Sequence, residues 1–143
     1  LPPGELHDSS GAVIGEHRGI AAYTLGQRKG LGVALGEARF VTAIDPARNI
    51  VTIGPEEALF ADVAEVTGMS WVSGEAPAPG APIQAKARYR AEPAPATLIE
   101  AAPGRIVIRF DRRQRALTPG QALVCYRGDE VLGGGTIALA RRD

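Results

Sequence analysis

The sequence predicts a mainly β protein, a small glycine-rich β unit followed by a six-stranded antiparallel β-barrel. Three observations carry this. Short runs rich in Val, Ile, Phe and Tyr recur at turn-length spacings, the pattern of hairpins and closed sheets. The 18 glycines and 11 prolines among 143 residues punctuate those runs with turns. Helical signal is confined to one stretch in which Glu56 and Glu57 follow Pro55. A hydrophobic content of 45% argues for packed cores, and a chain of this size buries roughly 70% of the surface its unfolded form exposes.

In chain order, the first unit holds many glycines and few apolar side chains. Phe40–Ile44 and Ile50–Gly54 flank the turn-forming segment Asp45-Pro46-Ala47-Arg48-Asn49, the clearest hairpin in the sequence. A short helix is expected over Pro55–Phe60, with the division between units after it, as residues 1–62 and 63–143. Gly74–Pro82 contains three prolines, which suit neither a helix interior nor a central ladder, so it is a loop. In the next run Ile83, Ala85, Ala87 and Tyr89 alternate with Gln84, Lys86 and Arg88, a strand with one apolar and one basic face. Arg105–Phe110 is another strand. Ala122–Tyr126 and Glu130–Ala140 are two more, joined through Arg127-Gly128-Asp129. The triplet Gly133-Gly134-Gly135 inside a strand marks a bulge or a close backbone approach. No internal repeat is evident.

The charges balance at 16 basic and 16 acidic residues, but unevenly. Residues 1–85 carry five basic and ten acidic groups, whereas 86–115 carry eight basic and three acidic, so a −5 stretch adjoins a +5 stretch. Locally concentrated positive charge points to nucleic acid. One cysteine, Cys125, excludes an intrachain disulfide framework or a multi-cysteine zinc site and suits a reducing compartment, the cytoplasm. No apolar run reaches the ~18 residues of a membrane span, and no signal-peptide pattern opens the chain. The start at Leu1, without an initiator Met, is expected of a piece of a longer protein.

Tyr23-Thr24-Leu25-Gly26-Gln27-Arg28-Lys29-Gly30-Leu31-Gly32 is the most informative local segment. Its glycines bracket an amide and two cations, a turn with exposed N–H groups that suits phosphate, although a merely solvated turn has the same composition. It has neither Walker nor dinucleotide-loop spacing. Lys86, Arg88 and Arg90, with Tyr89 among them, suit an RNA backbone and a stacked base; alternation nonetheless places Tyr89 on the apolar side, where packing competes. Arg112-Arg113-Gln114-Arg115 reads as a solvated turn. Thr118-Pro119-Gly120-Gln121 is a β-turn entering a strand, whose glutamine offers a donor and an acceptor to a base edge or ribose, or to water. His7, Asp8, Glu16 and His17 match no metal-site spacing. Cys125, between Val124 and Tyr126, reads as a small buried hydrophobe. No nucleophile arrangement or carboxylate pair is visible, so no catalytic centre and no metal site are expected in this chain.

Gly15-Glu16-His17-Arg18-Gly19, the Tyr23–Gly32 string, Ala85-Lys86-Ala87-Arg88-Tyr89-Arg90, Leu117-Thr118-Pro119-Gly120-Gln121 and Val131-Leu132-Gly133-Gly134-Gly135-Thr136-Ile137 together resemble the bacterial tRNA-specific 2-thiouridylases. Order and separations match across nearly the whole chain. The resemblance implies the C-terminal portion of a tRNA-uridine 2-sulfurtransferase, a small central domain plus a translation-factor-like barrel. It implies that ATP with Mg, a catalytic Asp and two catalytic cysteines belong to an N-terminal domain absent from this chain, which alone is inactive. By matching motif, Arg88, Tyr89 and Gln121 correspond to tRNA-contacting positions, while Gln27, Arg28 and Lys29 are a weaker proposal for a tRNA-backbone contact. Cys125 matches neither catalytic cysteine. The implied partners are tRNA and, for the parent enzyme, a sulfur-relay donor protein, with a monomeric, cytoplasmic protein and no membrane. The rival reading is a translation-factor-like module that binds RNA or protein without sulfur chemistry.

Overall fold

The computed structural model describes residues 2–31, 39–87 and 92–143. The chain forms two compact units, Leu1–Leu59 and Phe60–Asp143.

The first unit is a four-stranded mixed sheet. Its strands are β1 (Gly4–His7), β2 (Val13–His17), β3 (Phe40–Asp45) and β4 (Ile50–Gly54), in the order β2-β1-β4-β3. The hairpin expected at residues 40–54 is present as the antiparallel β3/β4 pair, and β1 joins β4 in parallel. Alternation buries Val51 and Ile53 of β4 against Leu6, Tyr23, Leu31 and Val41. The expected short helix is a single 3-10 turn, Glu56–Leu59.

The second unit is a closed antiparallel barrel of six strands. These are β5 (Phe60–Trp71), β6 (Pro82–Lys86), β7 (Ala94–Ala102), β8 (Arg105–Arg115), β9 (Ala122–Arg127) and β10 (Glu130–Arg141), in the ring order β10-β5-β8-β7-β6-β9. Closure leaves no unpaired sheet edge. Inward alternation fills the interior with Val66, Ile83, Leu98, Ile106, Ile108, Leu123, Cys125 and Ile137, each at most 2% exposed. Burial pushes the Cys125 thiol up to about 11, as expected of an inert cysteine. The glycine triplet lies where β10 meets β5: the register shifts between Gly134 and Thr136. A side chain on Gly133 would strike the Ser70 carbonyl oxygen, and one on Gly135 would lie 2.5 Å from that of Thr67.

Two expectations are corrected. Arg112–Arg115 is not a turn but the end of β8, because closing the barrel pairs Gln114 and Arg115 with Ala61 and Phe60 of β5. Pro82, assigned to the loop, opens β6, a first-residue position where a missing N–H costs the ladder little.

Candidate nucleic-acid interface

The two units carry the same four-residue device. In Thr24-Leu25-Gly26-Gln27 and Thr118-Pro119-Gly120-Gln121, glycine takes the third position with φ of +86° and +95°, as a type II turn requires. The Gln27 and Gln121 N–H groups each donate to the threonine carbonyl oxygen at 3.0 Å. The glutamine Oε1 accepts in return from the threonine N–H, at 3.0 Å in the first turn and 3.2 Å in the second. Each turn is then fastened to a buried residue on a strand. Gly26 N–H donates to the Val41 carbonyl and Val41 N–H to that of Gln27, both at 2.8 Å; Gly120 and Gln121 treat Ile137 alike at 2.8 and 2.9 Å. The signal was in the sequence as a twice-occurring T-x-G-Q, too short to register as a repeat.

The turns differ at one atom. Gln27 Nε2 donates to the Lys29 carbonyl oxygen at 2.8 Å, so both ends of that amide are engaged. Gln121 Nε2 has no such bond among the described residues and remains a half-exposed donor. The Gly26 and Gln27 amides, expected to be exposed, are likewise engaged, so this turn is no main-chain cradle for a nucleotide phosphate. What it does present is the exposed side chains of Arg28 and Lys29.

Neighbouring residues brace the first turn. Arg18 lies with its guanidinium 5.7 Å from the Tyr23 ring centroid and donates from Nη2 to the Gly30 carbonyl at 3.3 Å. The buried His17 ring accepts at Nδ1 from Gly19 N–H, 3.0 Å, so its Nε2 carries the hydrogen donated to the Asn49 carbonyl at 2.8 Å. His7 meets Glu5 at 3.1 Å. Asp8 Oδ1 accepts from the Ser10 hydroxyl, Ser10 N–H and Ala12 N–H, and these bonds, the Ser10 hydroxyl first, hold its carboxyl below the usual range. Three of the four residues weighed for a metal, His7, Asp8 and His17, thus have separate roles.

The second turn sits at one mouth of the barrel. Register places there the end of β6 (Lys86 opposite Val124), the start of β7 (Ala94 opposite Ala85) and the end of β8 (Arg115 opposite Phe60). The connection from β8 to β9 crosses this mouth with Leu117 packed into the core, delivering Gln121 to the rim. Ala116 on that connection adopts φ +55°, a strained conformation for a non-glycine residue. Lys86 is half-buried on the outer face, as alternation predicts. Arg88 and Tyr89 lie outside the described residues.

The basic stretch is partly neutralised. Arg105 pairs with Glu65 at 2.8 Å and Glu100 at 3.6 Å, and Arg109 pairs with Asp143. Its hydrogen bond to Glu65 pushes Arg105 further up. Among the described residues, no group of three or more His, Cys, Asp or Glu is placed to hold a metal ion, and no helix is long and apolar enough to cross a membrane.

Comparison with known proteins fits this organisation. Residues 2–55 match the model of a tRNA methyl transferase PRC-barrel domain and residues 62–137 that of an aminomethyltransferase β-barrel domain, so the chain is a two-module protein with one matched module in each compact unit. Over 138 residues the chain is 49% identical to the tRNA-specific 2-thiouridylase MnmA of Chlorobium luteolum, covering 94% of this chain and 38% of that protein. It is equally 49% identical over 138 residues to the proteins of that name from Chloroflexus aggregans and Moorella thermoacetica, covering 96% of this chain and 38% of each. The chain belongs to the tRNA-specific 2-thiouridylase family. It spans 38% of the length of these curated relatives.

Proposed function

We propose that this chain is the tRNA-holding, C-terminal portion of an enzyme that thiolates C2 of the wobble uridine in tRNA, using ATP and persulfide sulfur. The observation that carries the reading is the Gln121 turn: locked to Ile137 at the barrel mouth, it holds one amide donor available for an acceptor outside the protein. Such a donor suits a base edge or ribose oxygen. Arg88 and Tyr89 complete the proposed contact, a guanidinium for phosphate and a ring for stacking. In the first unit Arg28 and Lys29 approach the backbone, while Gln27 braces their turn. Adenylation and sulfur delivery belong to the rest of the parent protein, which would hold ATP with Mg and receive sulfur from a relay donor. Cys125, buried and with its thiol at about 11, is unsuited to carry sulfur. The protein acts as a cytoplasmic monomer on this reading.

Filter retention tests it. The chain should prefer tRNAs with a wobble uridine over those without, Arg88→Ala should weaken binding, and the chain alone should show no ATP-dependent thiolation. Equal retention of unrelated RNAs would favour the rival translation-factor-like module, and turnover by the chain alone would refute the division of labour.

A further inference from the structure

Arg112 and Arg113, near the end of β8, are presented unlike Arg105 and Arg109 earlier on the same strand. Between the pairs Ala61–Gln114 and Val63–Arg109, the single residue Asp62 of β5 faces four residues of β8. This bulge breaks the alternation that would send every second side chain into the core. Asp111, Arg112 and Arg113 are in consequence three successive exposed residues. Gln114 Nε2 ties the segment down by donating to the Arg112 carbonyl at 2.8 Å, a bond to main chain that leaves the arginine side chains unconstrained.

The charge pattern separates these two arginines from Arg105, Arg109 and Arg141. Arg105 and Arg109, earlier on the same strand, are held by Glu65, Glu100 and Asp143. Arg141 lies 3.7 Å from Glu65 and 4.0 Å from Asp143. Arg112 and Arg113 have no ion-pair partner among the described residues, and the acid beside them is Asp111. In the ring order β8 stands opposite β9, so the pair lies across the barrel mouth from Gln121, at the other end of the 116–121 crossing.

We infer that Arg112 and Arg113, turned outward by the β8 bulge, form a second phosphate-binding patch that extends the RNA footprint across the barrel mouth from Gln121. This rests on the tRNA-holding reading and adds a site to it. Guanidinium forks match phosphate oxygens in two-point contacts, and cations without acidic partners need break no existing pair to bind. A backbone with regularly spaced phosphates can meet both sides of the mouth at once.

The test measures binding of the 143-residue chain to an unmodified tRNA transcript with a wobble uridine across a salt series. The Arg112→Ala/Arg113→Ala double variant should flatten the slope of log affinity against log salt by about 1.4–1.8, from roughly 0.7–0.9 per lost phosphate contact. Between about 50 and about 200 mM salt the unsubstituted chain then loses roughly tenfold more affinity than the variant. Arg112→Lys/Arg113→Lys should keep the slope. Melting temperature and wobble-uridine preference should not change. An unaltered slope in the alanine variant overturns the patch while a wobble-uridine preference leaves the tRNA-holding reading standing. A flattened slope with equal affinity for an unrelated RNA duplex keeps the patch and overturns that reading. No RNA binding by the unsubstituted chain overturns both.

Discussion

The paired glutamine turns allow one substitution to be made twice with opposite expected results. In Gln121→Glu the carboxylate still accepts from Thr118 N–H, the 3.2 Å bond that closes the turn. A charged acceptor is at least as strong as the amide, so stability should change by less than about 0.5 kcal/mol. The Nε2 donor is lost, and a negative charge replaces it. One missing hydrogen bond plus repulsion from RNA should cost about 1.4–2.8 kcal/mol, a tenfold to hundredfold loss of tRNA affinity. In Gln27→Glu the Thr24 bond survives, but the 2.8 Å bond to the Lys29 carbonyl becomes an oxygen facing an oxygen. That turn is partly exposed and flanked by Arg28 and Lys29, which limits the penalty to about 1 kcal/mol, or about 4–8 °C in a unit of this size. Thermal melts followed by circular dichroism, alongside filter retention of tRNA, read both quantities. Equal melting shifts in the two variants would refute the claimed difference at Nε2, and full tRNA affinity in Gln121→Glu would refute the contact.

The glycine triplet and the buried cysteine give two further tests. Gly133→Ala sets its Cβ against the Ser70 carbonyl and 2.8 Å from Trp71 Cε3, whereas Gly134→Ala meets nothing nearer than the Leu123 carbonyl at 3.1 Å. Overpacking against backbone typically costs about 1–3 kcal/mol, so the first should melt several degrees lower than the second; equal shifts would contradict the close approach. For Cys125, folding raises the thiol from 9.0 to about 11. The fold therefore favours the protonated form, and the associated stability, about 2–3 kcal/mol, is complete below pH ~9 and lost between pH ~9 and ~11. Urea titrations should lose more stability over that window than those of Cys125→Val, and an identical decline in both proteins would show that the thiol does not contribute.

Local rules made the β3/β4 hairpin, the inward Ile83 and Ala85, the burial of Cys125 and the Gly133–Gly135 approach legible, because each depends on side-chain period or turn chemistry within a few residues. β5 and β7 were not legible. Register shifts at Ala61/Val63 and Leu98/Glu100 interrupt their alternation, and β7 is built on alanine, proline and threonine, which read as loop. The T-x-G-Q strings were visible as turns, but not that Val41 and Ile137 would receive them. Tertiary structure alone decided which arginines remain available for a ligand. Composition counts Arg105, Arg109, Arg112 and Arg113 alike; closure of the barrel brings Glu65 to the first and Asp143 to the second from 40 and 34 residues away. The sequence by itself determined the residue types and local periods of a mainly β protein. Their pairing was decided by the fold, since Coulomb attraction depends on distance through space and not along the chain.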